Sequence, residues 1–417
     1  MTDAHEIHRA FANNDAEAVR AILQRNPEFK ARINDPIGPF DTPAVCCARD
    51  RKMLDVLLEA GADINAKSQW WAGGFCLLDF ANDDLAHYAI ERGARVEAHA
   101  AARLGLMERL REWIELDPAV VHAKGGDGKR PLHFARTPEI AKYLLDHGAE
   151  IDALDVDHES TPAQHLIGEH PEVVRFLVAQ GCRTDIFLAA ALGDLDLARK
   201  HIAADPKCVL LRVNGESFPM QNKRAGGTIY TWTLGANLSP HQVAKKFGHD
   251  NVFNFLEEHS PAAVRLLNSF LLHDEAAAKK ITAENPNVLS QLTPSERGTI
   301  ADAARDNDAA AVLAMLAAGF PNNARGAHGA TPLHWSAWHG NAALVEGILK
   351  TNPPLEATDD DFNGTPMRWA IHGSTNSWHR AQGDYAAVVN SLLKAGAKPL
   401  PADDGSPAVK EALASAH

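Results

Sequence analysis

Residues Thr331–Gly340 read TPLHWSAWHG. A threonine hydroxyl accepts from the free backbone N–H groups of a starting helix. A proline placed next has no N–H to leave unsatisfied. The stretch therefore opens a short helix, and the same opening recurs along the chain. RPLHFA (Arg130–Ala135), TPMRWAIHG (Thr365–Gly373), TPAQH (Thr161–His165) and TPAVCCA (Thr42–Ala48) are variants of it.

Helix ends recur too. LLEAG, AIERG, LLDHG, LVAQG, MLAAG and LLKAG finish at Gly61, Gly93, Gly148, Gly181, Gly319 and Gly396. Glycine suits the left-handed turn that terminates a helix. Pro27, Pro118, Pro206, Pro261, Pro286 and Pro353 mark the same boundary differently, because proline cannot continue a helix. The marks fall roughly 25 to 34 residues apart, the length of one helix–turn–helix unit, and imply about twelve units. Two gaps are longer, by about 20 and about 10 residues, and insertions in such arrays extend loops. They are assigned to Asn214–Leu234 and Ser374–Tyr385. Deleting the first is expected to leave the helical ladder intact.

The TPLH openings, together with the tails GADINAK and GAEIDAL, resemble the ankyrin-repeat family, whose repeat begins T-P-L-H-x-A. The good matches cover about half the chain, and the rest follows by period. The resemblance implies an all-α chain: an ankyrin-type solenoid of helix-pair repeats with short β-hairpin loops, continuous over residues 1–400, then a tail at 401–417. The repeats are divergent. Those ending at Pro118, Pro206 and Pro286 are about 25 residues long and look like bare helix pairs. The resemblance also implies a concave surface of loop tips and inner-helix columns where ligands meet the stack, and places His133 and His334 as structural links between units.

Composition narrows the function. A net charge of -13 over 417 residues argues against general nucleic-acid binding, which needs a basic face. Five cysteines, two of them adjacent at Cys46 and Cys47, show neither disulfide nor zinc spacing and point to a reducing compartment. The N-terminus lacks a secretory pattern, and no run is long and apolar enough to span a membrane. A cytoplasmic, monomeric protein without a cofactor is expected.

With TPLHxA as ruler, the first variable column holds Cys46, Phe134, His165, Trp335 and Trp369; the second holds Arg49, Thr137, Trp338 and His372. The presumed hairpins carry Trp70, Trp71, Asp127, Asp155, Asp157, His158 and Glu159, then Arg325, His328, Asp359, Asp360 and Asp361. The insertions add Lys223, Arg224, Tyr230 and Trp232, then Trp378, His379, Arg380 and Tyr385. Of eight tryptophans, only Trp113 sits in an outer-helix pattern. Tryptophan is enriched at binding hot spots. The expected site is thus an aromatic, partly acidic groove for a protein or peptide partner or a small polar ligand. Its ligand-binding candidates are Trp70, Trp71, Asp127, Asp155, His165, Arg224, Tyr230, Trp232, Trp335, Trp338, Trp369, Trp378 and His379.

The alternative is a hydrolase or lyase acting on a small polar or sugar-like substrate in the same groove. Asp157, His158, Glu159, Asp360 and His372 would then supply general acid–base groups. No metal is expected, because His165/His170 and His334/His339 are five apart and no HExxH occurs. The Gly-rich Ala225–Gly235 lacks phosphate-loop spacing.

Overall fold

The computed structural model describes residues 3–401 and 404–415. Its regular elements are helices, and no strand occurs among the described residues. Successive helices pack as pairs, such as Ile186–Leu192 with Leu195–Ala204 and Pro332–Trp338 with Ala342–Leu349. The pairs are layered. Pro332–Trp338 packs on the first helices of its neighbours, Pro294–Arg305 and Pro366–Asn376, while Ala342–Leu349 packs on the second helices Ala309–Ala317 and Tyr385–Lys394.

Local chemistry sets the boundaries. Thr161 accepts from Gln164 N while Gln164 Oε1 accepts from Thr161 N, a reciprocal cap before the helix at Pro162. Second helices start from Asp or Asn: Asp50, Asn82, Asp194, Asp308 and Asn341 each accept a backbone N–H from the first turn. Each such cap contributes about 1 kcal/mol. The six helix-ending glycines lie at φ between +88° and +99°. An added Cβ at Gly61 or Gly148 would meet nothing within 4 Å, so backbone conformation alone selects glycine there.

The histidines of the TPLH openings join neighbouring pairs. His334 Nδ1 accepts from Thr331 N at 3.2 Å, and its Nε2 donates to Gly364 O at 3.0 Å. His133 does the same between Arg130 N and Ser160 O. Leu54, Leu57, Leu144, Leu177 and Leu344 are fully buried, each worth about 1.5–3 kcal/mol of removal from water. All five cysteines are buried and free.

Contacts divide the chain into two compact units, Met1–Val252 and Phe253–His417. No described helix is long and apolar enough to cross a membrane.

The loops expected as β-hairpins are turns instead. Gly125 N donates to Lys129 O within one loop, and Val156 N donates to Asp127 O in the loop before it, both at 2.8 Å. One or two bonds per crossing are too few for a ladder. What stacks these loops is close approach: a Cβ on Gly73 would lie 2.4 Å from Gly125 O, and one on Gly128 would lie 2.3 Å from Val156 Cγ2.

The segment expected as a loop insertion at Asn214–Leu234 is built into the core. Tyr230 and Leu234 are fully buried. The Tyr230 hydroxyl donates to the Asp185 carboxylate at 3.0 Å. Val213 N bonds Leu238 O and Asn237 N bonds Val213 O, closing the segment's base. Deleting it would remove core, so the expectation of an intact ladder is corrected. The second, Ser374–Tyr385, is turns over residues 377–384 between two helices. Pro366–Asn376 covers its start, and the buried Tyr385 opens the next helix with its hydroxyl donating to Trp338 O at 3.0 Å. Of the tail expected at 401–417, residues 402, 403, 416 and 417 lie outside the described ones, whereas Pro407–Ala414 is a helix that buries Val409 and Leu413.

Candidate functional site

The loop tips repeat one design in each unit. Asp155 and Asp359 start equivalent loops, DVDHEST and DDDFNGT. Asp155 accepts from His158 N and Ser160 N, both at 2.8 Å. Asp359 accepts from Asp361 N, Phe362 N and Gly364 N. The preceding tips match as well, with Asp127 at φ 59° and His328 at φ 62°. The N–H after each loop Asp closes on the carbonyl of that preceding tip, Val156 to Asp127 and Asp360 to His328. Five positions are thereby equivalent: Asp127 and His328, Asp157 and Asp361, His158 and Phe362, Phe134 and Trp335, His165 and Trp369.

In the second unit these positions make an aromatic pocket. A cavity of about 430 Å³ is lined by Trp335, Trp338, Trp369, Trp378, Phe362, His328, His372, Gly364 and Arg368. Trp335 and Trp369 form its floor, only 4% and 7% exposed, with ring centroids 4.9 Å apart and edge to face. Trp378 and Phe362 stand at the rim, 61% and 69% exposed. Trp338 links the two, meeting Trp378 at 5.7 Å and stacking on His372 at 5.8 Å. Trp369 Nε1 donates to Asp359 Oδ2 at 2.9 Å. Burial pushes the Asp359 carboxyl up, yet the N–H of Phe362, the Trp369 indole and the other backbone donors hold it below the usual carboxylate range.

The partly acidic character expected of the groove is absent from this pocket, because no carboxylate lines it. Asp359 is spent on the loop and on Trp369. Asp360 is paired with Arg325 at 3.1 Å, and Asp361 with His328 at 2.6 Å. His372 lies against Trp338 and Asn376 rather than beside a carboxylate. His379 packs on His339, with centroids 4.9 Å apart. Besides its rings the pocket offers Arg368 and two imidazoles, while the Trp335 and Trp338 indole N–H groups are buried without a hydrogen-bond partner. Phe362 and Arg368 were not singled out from the sequence, although Phe362 occupies the loop position that made His158 a candidate.

In the first unit the same positions hold ionisable groups. Asp127, Asp157 and His158 are buried, at 7%, 4% and 7% exposure. His158 Nδ1 donates to Gly227 O at 2.8 Å, and its Nε2 stands 3.6 Å from Asp157 Oδ2 and 3.9 Å from Asp127 Oδ2. Burial and the Asp127 carboxylate push Asp157 above the usual range, against the pull of His158. Lys129 lies 3.5 Å from Asp127. Asp155 and His165 form a neighbouring pair, 3.2 Å apart. It stands at the positions of Asp359 and Trp369. Burial pushes His165 down to about 4.

The remaining candidates of this unit line the segment that covers these groups. Glu159 accepts from Gln221 N and Asn222 N, so its carboxylate holds that segment in place. Trp232, 61% exposed, lies 4.8 Å from the His158 ring. The Arg224 guanidinium sits 4.6 Å over Trp71, and Trp70 packs on Phe40 and Trp71. Tyr230, a candidate for ligand contact, is sealed in the core.

These layered helix pairs with chemistry carried on loop tips define a helical repeat protein. An ankyrin repeat family model matches residues 127–156. The matched segment runs from the Asp127 tip to Val156, whose N–H bonds the Asp127 carbonyl, and is thus one unit measured tip to tip.

Proposed function

We propose that this chain is an ankyrin-type recognition protein, an array of about twelve helix pairs, that seats an apolar group of a protein partner in the tryptophan pocket of the second unit. The pocket carries the reading: four indoles and a phenyl ring around about 430 Å³, with two rings left standing in solvent. Exposed aromatics around a desolvated floor are the usual anatomy of a binding hot spot. Ankyrin repeats bind proteins through such surfaces, and the family match supports a protein-binding role. The donors around the cavity favour a guest that presents acceptors beside its apolar group, such as an aromatic side chain next to a carboxylate. Recognition is preferred to acid–base catalysis in this pocket because no carboxylate lines it: Asp361, which pairs with His328, lies outside the lining, and His372 has no carboxylate beside it.

The test uses peptides selected from a random display library against the full chain. Trp378→Ala and Phe362→Ala each weaken a selected peptide at least tenfold, while the melting temperature moves by only about 2 °C, as expected for exposed side chains. Peptides that bind both variants as tightly as the parent would refute the assignment.

A further inference from the structure

The second unit neutralises its tip position with one imidazole and one carboxylate, His328 and Asp361, in contact at 2.6 Å. The first unit has two carboxylates there and an imidazole beside them. Charged partners that hydrogen-bond close to about 2.7–2.9 Å. His158 instead keeps 3.6 and 3.9 Å from Asp157 and Asp127. Three donor atoms, one from each residue, lie within 4.8 Å of one another. A transition-metal ion with bonds of about 2.0–2.2 Å needs donors about 3–4 Å apart, so small rotations would close the set.

Two further observations point to an ion. His158 Nδ1 donates to the Gly227 carbonyl at 2.8 Å, which turns Nε2 towards the carboxylates. That is the arrangement by which an outer hydrogen bond orients a histidine ligand. Asp157, 4% exposed, keeps Oδ1 buried without a hydrogen-bond partner. A buried carboxylate oxygen left unsatisfied is costly.

We propose that Asp127, Asp157 and His158 form a binding site for one divalent transition-metal ion of zinc or manganese type. The donor set is one imidazole nitrogen and two carboxylate oxygens without thiolate, which suits such ions. Lys129, 3.5 Å from Asp127, is the counter-charge the ion displaces. Chain spacing did not reveal the site because Asp127 comes from one loop and Asp157 and His158 from the next.

The full chain is titrated calorimetrically with zinc chloride, alongside Asp157→Asn and His158→Gln, with far-UV circular dichroism to verify folding. One equivalent binds the parent, and each variant loses at least tenfold in affinity. A parent that takes up no zinc, or variants that bind as it does, overturns the proposal. So does loss of binding in Cys76→Ser with His158→Gln unaffected, which would assign the ion to the buried Cys76, Asp79 and His99 group. Manganese bound to the parent gives a reading free of variants: its electron spin echo carries modulation from a coordinated imidazole nitrogen. Manganese without that modulation also overturns the site.

Discussion

Asp359 accepts four hydrogen bonds, two on each oxygen, from three backbone N–H groups and the Trp369 indole. The carboxylate of its neighbour Asp360 is exposed and pairs with Arg325. Removing the first carboxylate strands buried donors, each costing about 1–3 kcal/mol, whereas an exposed pair contributes about 0–1 kcal/mol. Asp359→Ala is therefore expected to lower stability by about 3 kcal/mol or more, and Asp360→Ala by less than about 1 kcal/mol, in urea denaturation. At this scale the sequence is easy to read where a residue acts on its own neighbours. The Thr–Pro openings, the glycine stops and the linking histidines follow from backbone chemistry a few residues away. The Asp359 and Asp360 distinction is not readable, because it depends on which carboxylate turns inward.

At the scale of elements, Asn214–Leu234 behaves unlike a loop. Its Tyr230 ring is fully buried against Phe187 and Phe218, and its hydroxyl meets Asp185, the residue that caps the helix Ile186–Leu192. Burial keeps the Asp185 carboxyl above its ordinary range. Tyr230→Ala is expected to cost about 3–5 kcal/mol, as for other large-to-small core changes. Trp232→Ala, two residues on and exposed, should shift the urea midpoint little. Similar losses for both would show that the segment is held by something other than its buried ring. A segment that breaks the repeat has no period to reveal its inward face, which is why it read as dispensable. The aromatic pocket was legible in part, since Trp335, Trp338 and Trp369 fall on the TPLH ruler. At its rim Trp378 was also a candidate, whereas Phe362 was not, because it lies on a loop whose direction no local pattern fixes.

At the scale of the molecule, buried imidazoles tie stability to pH. Burial, reinforced by His165, pushes His133 down to about 3, and burial pushes His165 to about 4. Both lie below the ordinary 6.5, so the unfolded chain takes up protons that the folded one refuses. Their contribution is complete above pH 6.5 and is lost as pH falls from there towards the folded values. Asp155, held at about 2 by His165 and backbone N–H groups despite burial, adds a further loss in stronger acid. The unfolding free energy from urea titrations is expected to fall between pH 7 and pH 4.5, by up to about 1.4 kcal/mol per pH unit for each histidine. In His133→Gln the decline should be shallower, and an unchanged slope would remove His133 from the account. One consequence of the core concerns its sulfur atoms. Every thiol of the chain belongs to the unit Met1–Val252 and is covered there, with Cys182 and Cys208 pushed by burial to about 12 and about 11. Maleimide or iodoacetamide meets buried thiols, made less acidic by that burial, while that unit is closed. Each alkylated molecule thus records one opening of the N-terminal half, and the C-terminal half, which has no cysteine, stays silent in the mass spectrum.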